Sequence, residues 1–288
     1  MRVLILLTLT LTSASVASAW DRFGHLVVSE IAWEHMSERA RHTAVNILSR
    51  APRDADLALD ALSSKELFLR AGYWPDIVRD EAWPARKEKY DHPTWHYINH
   101  FWRDGKPLPE MGTIGELVDR LNRLAGSTPG PIELAWIEHL VGDVHQPLHS
   151  SARVTSEEPE GDRGGNDFAL EDPEAENLHA LWDSILKRAN RKRHSESYLG
   201  WVFRVASEIA NAFPRDALRD ELADDRFESW SEAGASIAMT RAYPSYLVRG
   251  GVPPRRYEEE IAPLAEKQAA LAGYRLAAWM ESLVRRTE

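Results

Sequence analysis

Apolar residues return every three or four positions along most of the chain. Val27, Val28, Ile31 and Ala32 do so after Gly24, and Ile114, Leu117, Val118 and Leu121 repeat the pattern. Leu134, Ile137, Leu140, Val141 and Val144 mark a strongly apolar segment, and Leu178, Leu181, Trp182 and Ile185 another. This spacing predicts helices. The same period extends over about 197–213, 225–243 and 257–284. No alternating apolar–polar stretch of convincing length marks a strand. Glycine and proline cluster at Gly105–Pro109, Ser127–Pro131, Glu157–Gly165 and Arg249–Pro254, where breaks are expected. Neither a long flexible linker nor an internal repeat divides the sequence, so residues 20–288 are expected to form one all-α domain.

The first nineteen residues follow a different pattern. Arg2 precedes an apolar run from Val3 to Leu11, and small residues lead to Ala17-Ser18-Ala19. This is the layout of a secretory signal peptide with an A-x-A cleavage site. The run is too short to span a bilayer. Cleavage between Ala19 and Trp20 would expose Trp20 as the first residue of an exported chain.

Composition narrows the chemistry. The 288 residues contain no cysteine. That excludes disulfides, thiolate metal sites, a cysteine nucleophile and iron–sulfur clusters. An exported chain without disulfides must draw its stability from core burial or metal, and this one is long enough to bury a large core. With 35 basic and 45 acidic residues the formal charge is −10. A broad basic face that grips duplex nucleic acid is therefore not expected. The conspicuous counts are 11 Trp and 11 His.

Many of these histidines lie near an aspartate at a meaningful spacing. His139 and Asp143 are four apart inside the most apolar helix, and His179 and Asp183 are four apart on another. Residues at i and i+4 share a helix face, so each pair can converge on one cation. A single such pair is commonly a surface pair or a satisfied core histidine. His139 and Asp143 are set among Leu134, Trp136, Ile137, Leu140 and Val141, where an unpaired charge would be costly. His25, Asp76, His96 and His149 add further imidazole and carboxylate groups, the usual non-thiolate zinc ligands. Together they exceed what one tetrahedral zinc can use, which suggests a cluster of metals. His35, His42, His92, His100 and His194 carry no such pattern. His145 is ambiguous: it sits beside the cluster, but two residues past Asp143 on a helix it faces elsewhere.

The order of these pieces resembles the trinuclear zinc nuclease family of fungal nuclease S-one and nuclease P-one, within the wider zinc-dependent phospholipase C/nuclease superfamily. The likeness rests on WDRFGH at 20–25, YWPDIVR at 73–79, WHYIN at 95–99, HLVGDVHQPLH at 139–149, GGNDF at 164–168, NLHALWD at 177–183 and AGYRLA at 272–277. It runs from Trp20 to Ala277. It implies a compact multi-helix domain holding three zinc ions. Trp20, through its own amine and carbonyl, would bind one with His25 and Asp143. Asp76, His96 and His139 would bind a second, with Asp143 as the bridge. His149, His179 and Asp183 would bind the third.

The resemblance also implies an activity. A bridged zinc pair lowers the pKa of a shared water and supplies hydroxide near neutral pH, while another zinc stabilises the leaving oxygen. Asp143 would lie beside the nucleophile, and Arg79 would take a phosphate oxygen. Such enzymes cut the P–O3′ bond of single-stranded RNA and DNA to leave 5′-phosphates, and they act on 3′-nucleotides. Tyr97 is the candidate stacking surface for a base and Asn99 its hydrogen-bond reader, where fungal nuclease P-one has Phe and Asp. Gly164, Gly165 and Asn166 either shape the substrate groove or form an ordinary turn. Asn177 either caps a helix or touches substrate. Neither a stable membrane association nor a protein partner is implied, and a bacterial periplasmic or secreted location is expected. The alternatives are a zinc-dependent phospholipase C and a non-catalytic periplasmic zinc-binding protein. Arg79, WHYIN and GGNDF favour the nuclease.

Overall fold

Gly130 and Pro131 start a deeply buried helix, with proline at the first position, where its missing N–H is not needed. This helix, α6 (Pro131–Asp143), is buried at every position from Leu134 to Asp143. The computed structural model describes residues 20–286. The expected signal peptide at 1–19 lies outside them.

Ten further helices accompany α6 among the described residues, and α1, α2, α3, α5 and α11 pack against it. Before it come α1 (Arg22–His35), α2 (Glu38–Leu48), α3 (Ser64–Ile77), α4 (Pro84–Tyr90) and α5 (Leu117–Ala125). After it come α7 (Leu178–Ala189), α8 (Tyr198–Ala212), α9 (Arg219–Leu222), α10 (Phe227–Ile237) and α11 (Arg255–Arg286). The expectation of an all-α domain is met. Side chains fix the starts of several helices by accepting the free N–H groups of a first turn. Asp21 does so for α1, Asn177 for α7, and Ser63 with Glu66 forms a reciprocal box on α3.

One hydrophobic cluster joins mainly α1, α7, α8 and the first part of α11. A second joins α2, α3, α5, α6, α10 and the last part of α11. Helix α11 therefore runs through both. It approaches α1 so closely that a Cβ on Gly273 would lie 2.5 Å from Ile31 Cγ2, which accounts for the glycine in AGYRLA. No helix among the described residues is long and apolar enough to cross a membrane.

The structure departs from expectation in three places. A small three-stranded sheet exists: β1 (His100–Arg103), β2 (Lys106–Pro107) and β3 (Ser151–Arg153), in the order β2-β1-β3. Strands of two to four residues are too short for alternation to register. Ile114 does not belong to α5, which begins at Leu117. The chain turns at Gly115, with φ of +88°, where a Cβ would fall 2.2 Å from the Tyr97 carbonyl oxygen. The 225–243 stretch is α10 followed by a π-helical turn, Ala238–Ala242.

Candidate metal centre

Six segments deliver the eight side chains singled out as ligands. His25 comes from α1 and Asp76 from the last turn of α3. His96 comes from the 3₁₀ turn Pro93–His96, and His149 from the turn Pro147–Ser150. His139 and Asp143 come from α6, and His179 and Asp183 from α7. All but Asp76 are buried, and Asp76 is 16% exposed.

Parallel pairing of β1 with β3, His100 opposite Ser151, holds the two turns side by side. Just before it, Ile98 N–H donates to the His149 carbonyl at 2.8 Å. The sheet thus fixes His96 against His149.

Asp143 faces two ways. Its Oδ1 lies 3.4 Å from His25 Nε2. Its Oδ2 lies 3.1 Å from His96 Nδ1 and 3.3 Å from His139 Nε2. Asp76 Oδ2 is 3.8 Å from His25 Nε2, and Asp76 Oδ1 is 3.8 Å from His139 Nε2. On the other side, Asp183 Oδ2 is 3.6 Å from His179 Nε2, and Asp183 Oδ1 is 4.0 Å from His149 Nε2. Three groups result: His25–His139–Asp143, Asp76–His96–His139 and His149–His179–Asp183. Within each group the ligand atoms lie within 4.8 Å of one another.

The hydrogen bonds around these groups fit a cation better than a proton. His139 Nδ1–H donates to the Gly72 carbonyl at 2.9 Å. His149 Nδ1–H donates to the His96 carbonyl at 2.5 Å, and His179 Nδ1–H to the Gly164 carbonyl at 2.8 Å. A neutral imidazole that donates through Nδ1 has a bare lone pair at Nε2. The bare Nε2 atoms of His149 and His179 face each other at 2.9 Å, and two acceptors cannot bond to each other. Backbone carbonyls commonly orient metal-binding histidines in this way. Both oxygens of Asp76, Oδ1 of Asp143 and Nε2 of His25 are buried without a hydrogen-bond partner. Such groups are costly unless a cation completes them.

The electrostatics agree. Burial holds His25, His96 and His149 well below the usual imidazole range. It lowers His139 to about 3 and His179 to about 4. Burial, reinforced by neighbouring aspartates, raises Asp143 and Asp183 well above the carboxylate range. The pocket thus opposes both protonated imidazole and bare carboxylate, and a divalent ion would reverse the second effect.

Trp20 is fully buried beside His25, and its Nε1–H donates to the Gly142 carbonyl at 3.1 Å. Gly24 and Gly142 permit this packing: a Cβ at Gly24 would meet Trp20 Cβ at 2.7 Å, and one at Gly142 would meet His25 Nδ1 at 2.8 Å. Arg79 places Nη1 3.6 Å from Asp76 Oδ1 and Nε 3.6 Å from Asp91 Oδ1. His145 faces away, as its spacing implied. It donates from Nδ1 to the Val141 carbonyl and accepts at Nε2 from Arg275.

A cleft of about 660 Å³ opens beside the three groups, lined by Arg79, His96, Tyr97, Asn99, Asn166 and His179 among others. Asn99 donates through Nδ2 to the Thr113 carbonyl, and Asn166 through Nδ2 to the Arg163 carbonyl, both at 2.7 Å. Gly164 and Gly165 have φ of +62° and +83°, and a Cβ at Gly164 would strike the Leu148 carbonyl at 2.2 Å. Of the two readings of Asn177, the structure supplies the cap: its Oδ1 accepts from Ala180 N–H at 2.8 Å. Sequence reasoning missed three supporting residues. Gln146 donates to Asp183 Oδ1 at 2.7 Å. Asp91 backs Arg79, and Asp162 anchors the glycine loop by accepting from Tyr243 Oη and Arg153 N–H. Gln146 stands inside HLVGDVHQPLH, so that motif held its signal.

The profile of one known family, S1/P1 Nuclease, matches residues 20–285. Similar proteins include Endonuclease 3 of Arabidopsis thaliana, 25% identical over 294 residues covering 96% of this chain and 93% of that one. Nuclease P1 of Penicillium citrinum is 23% identical over 278 residues, covering 92% and 97%. Nuclease S1 of Aspergillus oryzae is 23% identical over 306 residues, covering 97% of each. With three groups of histidine and aspartate beside one cleft, and a profile match over nearly its whole length, the chain belongs to the S1/P1 nuclease family.

Proposed function

We propose that the protein is a zinc-dependent nuclease that cuts the P–O3′ bond of single-stranded RNA and DNA, leaving 5′-phosphates, and that it also hydrolyses 3′-nucleotides. The observation that carries this reading is the two-faced Asp143, with one oxygen toward His25 and the other toward His96 and His139. Trp20, His25 and Asp143 would hold one zinc, Asp76, His96, His139 and Asp143 a second, and His149, His179 and Asp183 a third. Bound zinc supplies hydroxide near neutral pH and offsets charge on the departing oxygen.

The chain's own residues do the rest. Arg79 orients the scissile phosphate from the rim of the Asp76 group, with a guanidinium that offers a planar fork of donors. Tyr97 supports one splayed base, a demand that only a single strand meets cheaply. Asn99 and Asn166 offer amide groups to that nucleotide. Residues 1–19 direct export to the periplasm or medium and are then removed, which frees the Trp20 amine to act as a ligand.

The test is zinc content measured beside activity on single-stranded RNA, single-stranded DNA and a 3′-nucleotide, with a phosphatidylcholine control and with chelator. Three zinc per chain and chelator-sensitive 5′-phosphate products are expected. Lipid cleavage alone would make the protein a phospholipase C, and bound zinc without hydrolysis would make it a binding protein.

A further inference from the structure

Arg163 is an arginine in an unexpected place. It lines the same cleft as Arg79, Tyr97 and His179, yet its side chain is 66% exposed, against 10% for Arg79. Its backbone has φ of +51°, a left-handed conformation that costs an L-residue free energy and that glycine or asparagine would adopt more readily. Its guanidinium forks onto Asp167, with Nε 3.2 Å from both Oδ1 and Oδ2 and Nη2 3.1 Å from Oδ1. An exposed ion pair of this kind returns no more than the backbone conformation costs. Fold stability therefore does not explain an arginine at this position.

Its surroundings point to a ligand. The next residue, Gly164, supplies the carbonyl that orients His179, and the Arg163 carbonyl itself accepts from Asn166 Nδ2. The arginine is thus mounted on the loop that sets His179. Tyr97 and His179 line the cleft with it. Arg79, by contrast, lies against Asp76 and Asp91. One arginine is largely buried beside Asp76, and the other is exposed on the loop that sets His179.

We propose that Arg163 binds the 5′-phosphate of the nucleotide whose base rests on Tyr97 and whose 3′-oxygen is the leaving group. Asp167 occupies the guanidinium fork until that phosphate displaces it. The inference rests on the nuclease reading and deepens it: the site takes a nucleotide carrying phosphate at both 3′ and 5′ positions in preference to one phosphorylated at 3′ alone. An internal residue of a strand satisfies this, and a simple 3′-nucleotide does not.

The test compares adenosine 3′-phosphate with adenosine 3′,5′-bisphosphate on the zinc-loaded chain. The wild-type KM should be about tenfold lower for the bisphosphate, the value of one charge-assisted fork near the surface. Arg163→Ala should abolish that preference. Arg163→Lys should keep part of it, because it keeps the charge and loses the fork. Asp167→Asn should enlarge it by removing the competing carboxylate, and added salt should shrink it. Zinc content and melting temperature of each variant identify any that misfolds, and the Asp167→Asn and salt arms do not depend on removing the arginine. A preference that survives Arg163→Ala, or a loss equal on both substrates, overturns the proposal. A wild-type chain that cuts single-stranded DNA without preferring the bisphosphate overturns this inference alone. One that hydrolyses neither nucleotide nor strand overturns the nuclease reading as well.

Discussion

His149 and His179 oppose bare Nε2 atoms across 2.9 Å, each imidazole committed through its Nδ1–H to a backbone carbonyl. Neither can turn to relieve the contact without breaking its own hydrogen bond. Chelation should therefore leave the folded chain strained in several places at once. We expect EDTA to lower the melting temperature by about 10 °C or more, since ligands bound well above their Kd each contribute a few kcal/mol. Asp143→Asn should remove zinc from two of the three groups and cut kcat/KM by on the order of a thousandfold. Zinc analysis of the purified variant checks the first part, and retention of three zinc would count against a bridging role.

Gln146 steadies Asp183 from behind, donating through Nε2 while its Oε1 accepts from Leu148 N–H at 2.6 Å. Gln146→Leu should weaken zinc at the His149–His179–Asp183 group by roughly 10- to 100-fold, the usual effect of removing such a support. Competition with a graded set of chelators would measure it. The other groups should hold their metal at the same chelator concentrations.

Glu138 presents the opposite case, a buried carboxyl with no hydrogen-bond partner on either oxygen. Burial alone raises its pKa well above the ordinary 4.5. The folded chain holds a proton there that the unfolded chain releases, so stability falls as pH rises from about 4.5 toward the folded value. Glu138→Met, of similar length and without charge, should raise the melting temperature, and the gain should grow as pH rises above the ordinary 4.5. A gain independent of pH would show that packing rather than ionisation is responsible.

The fully buried Trp20 leads to a prediction about processing. If its free amine is a ligand, a methionine retained ahead of it converts that amine to an amide, a poor donor to metal. A chain expressed with Met preceding Trp20 should lose zinc from the His25 group and most of its activity. Full zinc and full activity would exclude the amine as a ligand.

Much of this was legible in the sequence for physical reasons. Helices α1, α6 and α7 announced themselves because one face, or the whole surface, is apolar at helical spacing. His139 with Asp143, and His179 with Asp183, were legible because four residues along a helix return to one side. Helix α3, which carries Asp76, gave no comparable signal: Pro75 sits inside it, close to its end. The support given by Gln146, Asp91 and Asp162 depends on contacts between distant segments, which spacing along a chain does not encode. The left-handed backbone of Arg163 was likewise invisible, since nothing in Gly-Asp-Arg-Gly-Gly says which residue turns the chain.

The pairing of β1 with β3 is short, yet it acts as a gauge. Sliding one strand by a single residue would move His96 past His149 by about 3.3 Å. Metal–ligand distances tolerate only about 0.2 Å. A register error too small to disturb the helical core would therefore be large enough to disassemble the centre, so three residue pairs set a tolerance that the described helices do not.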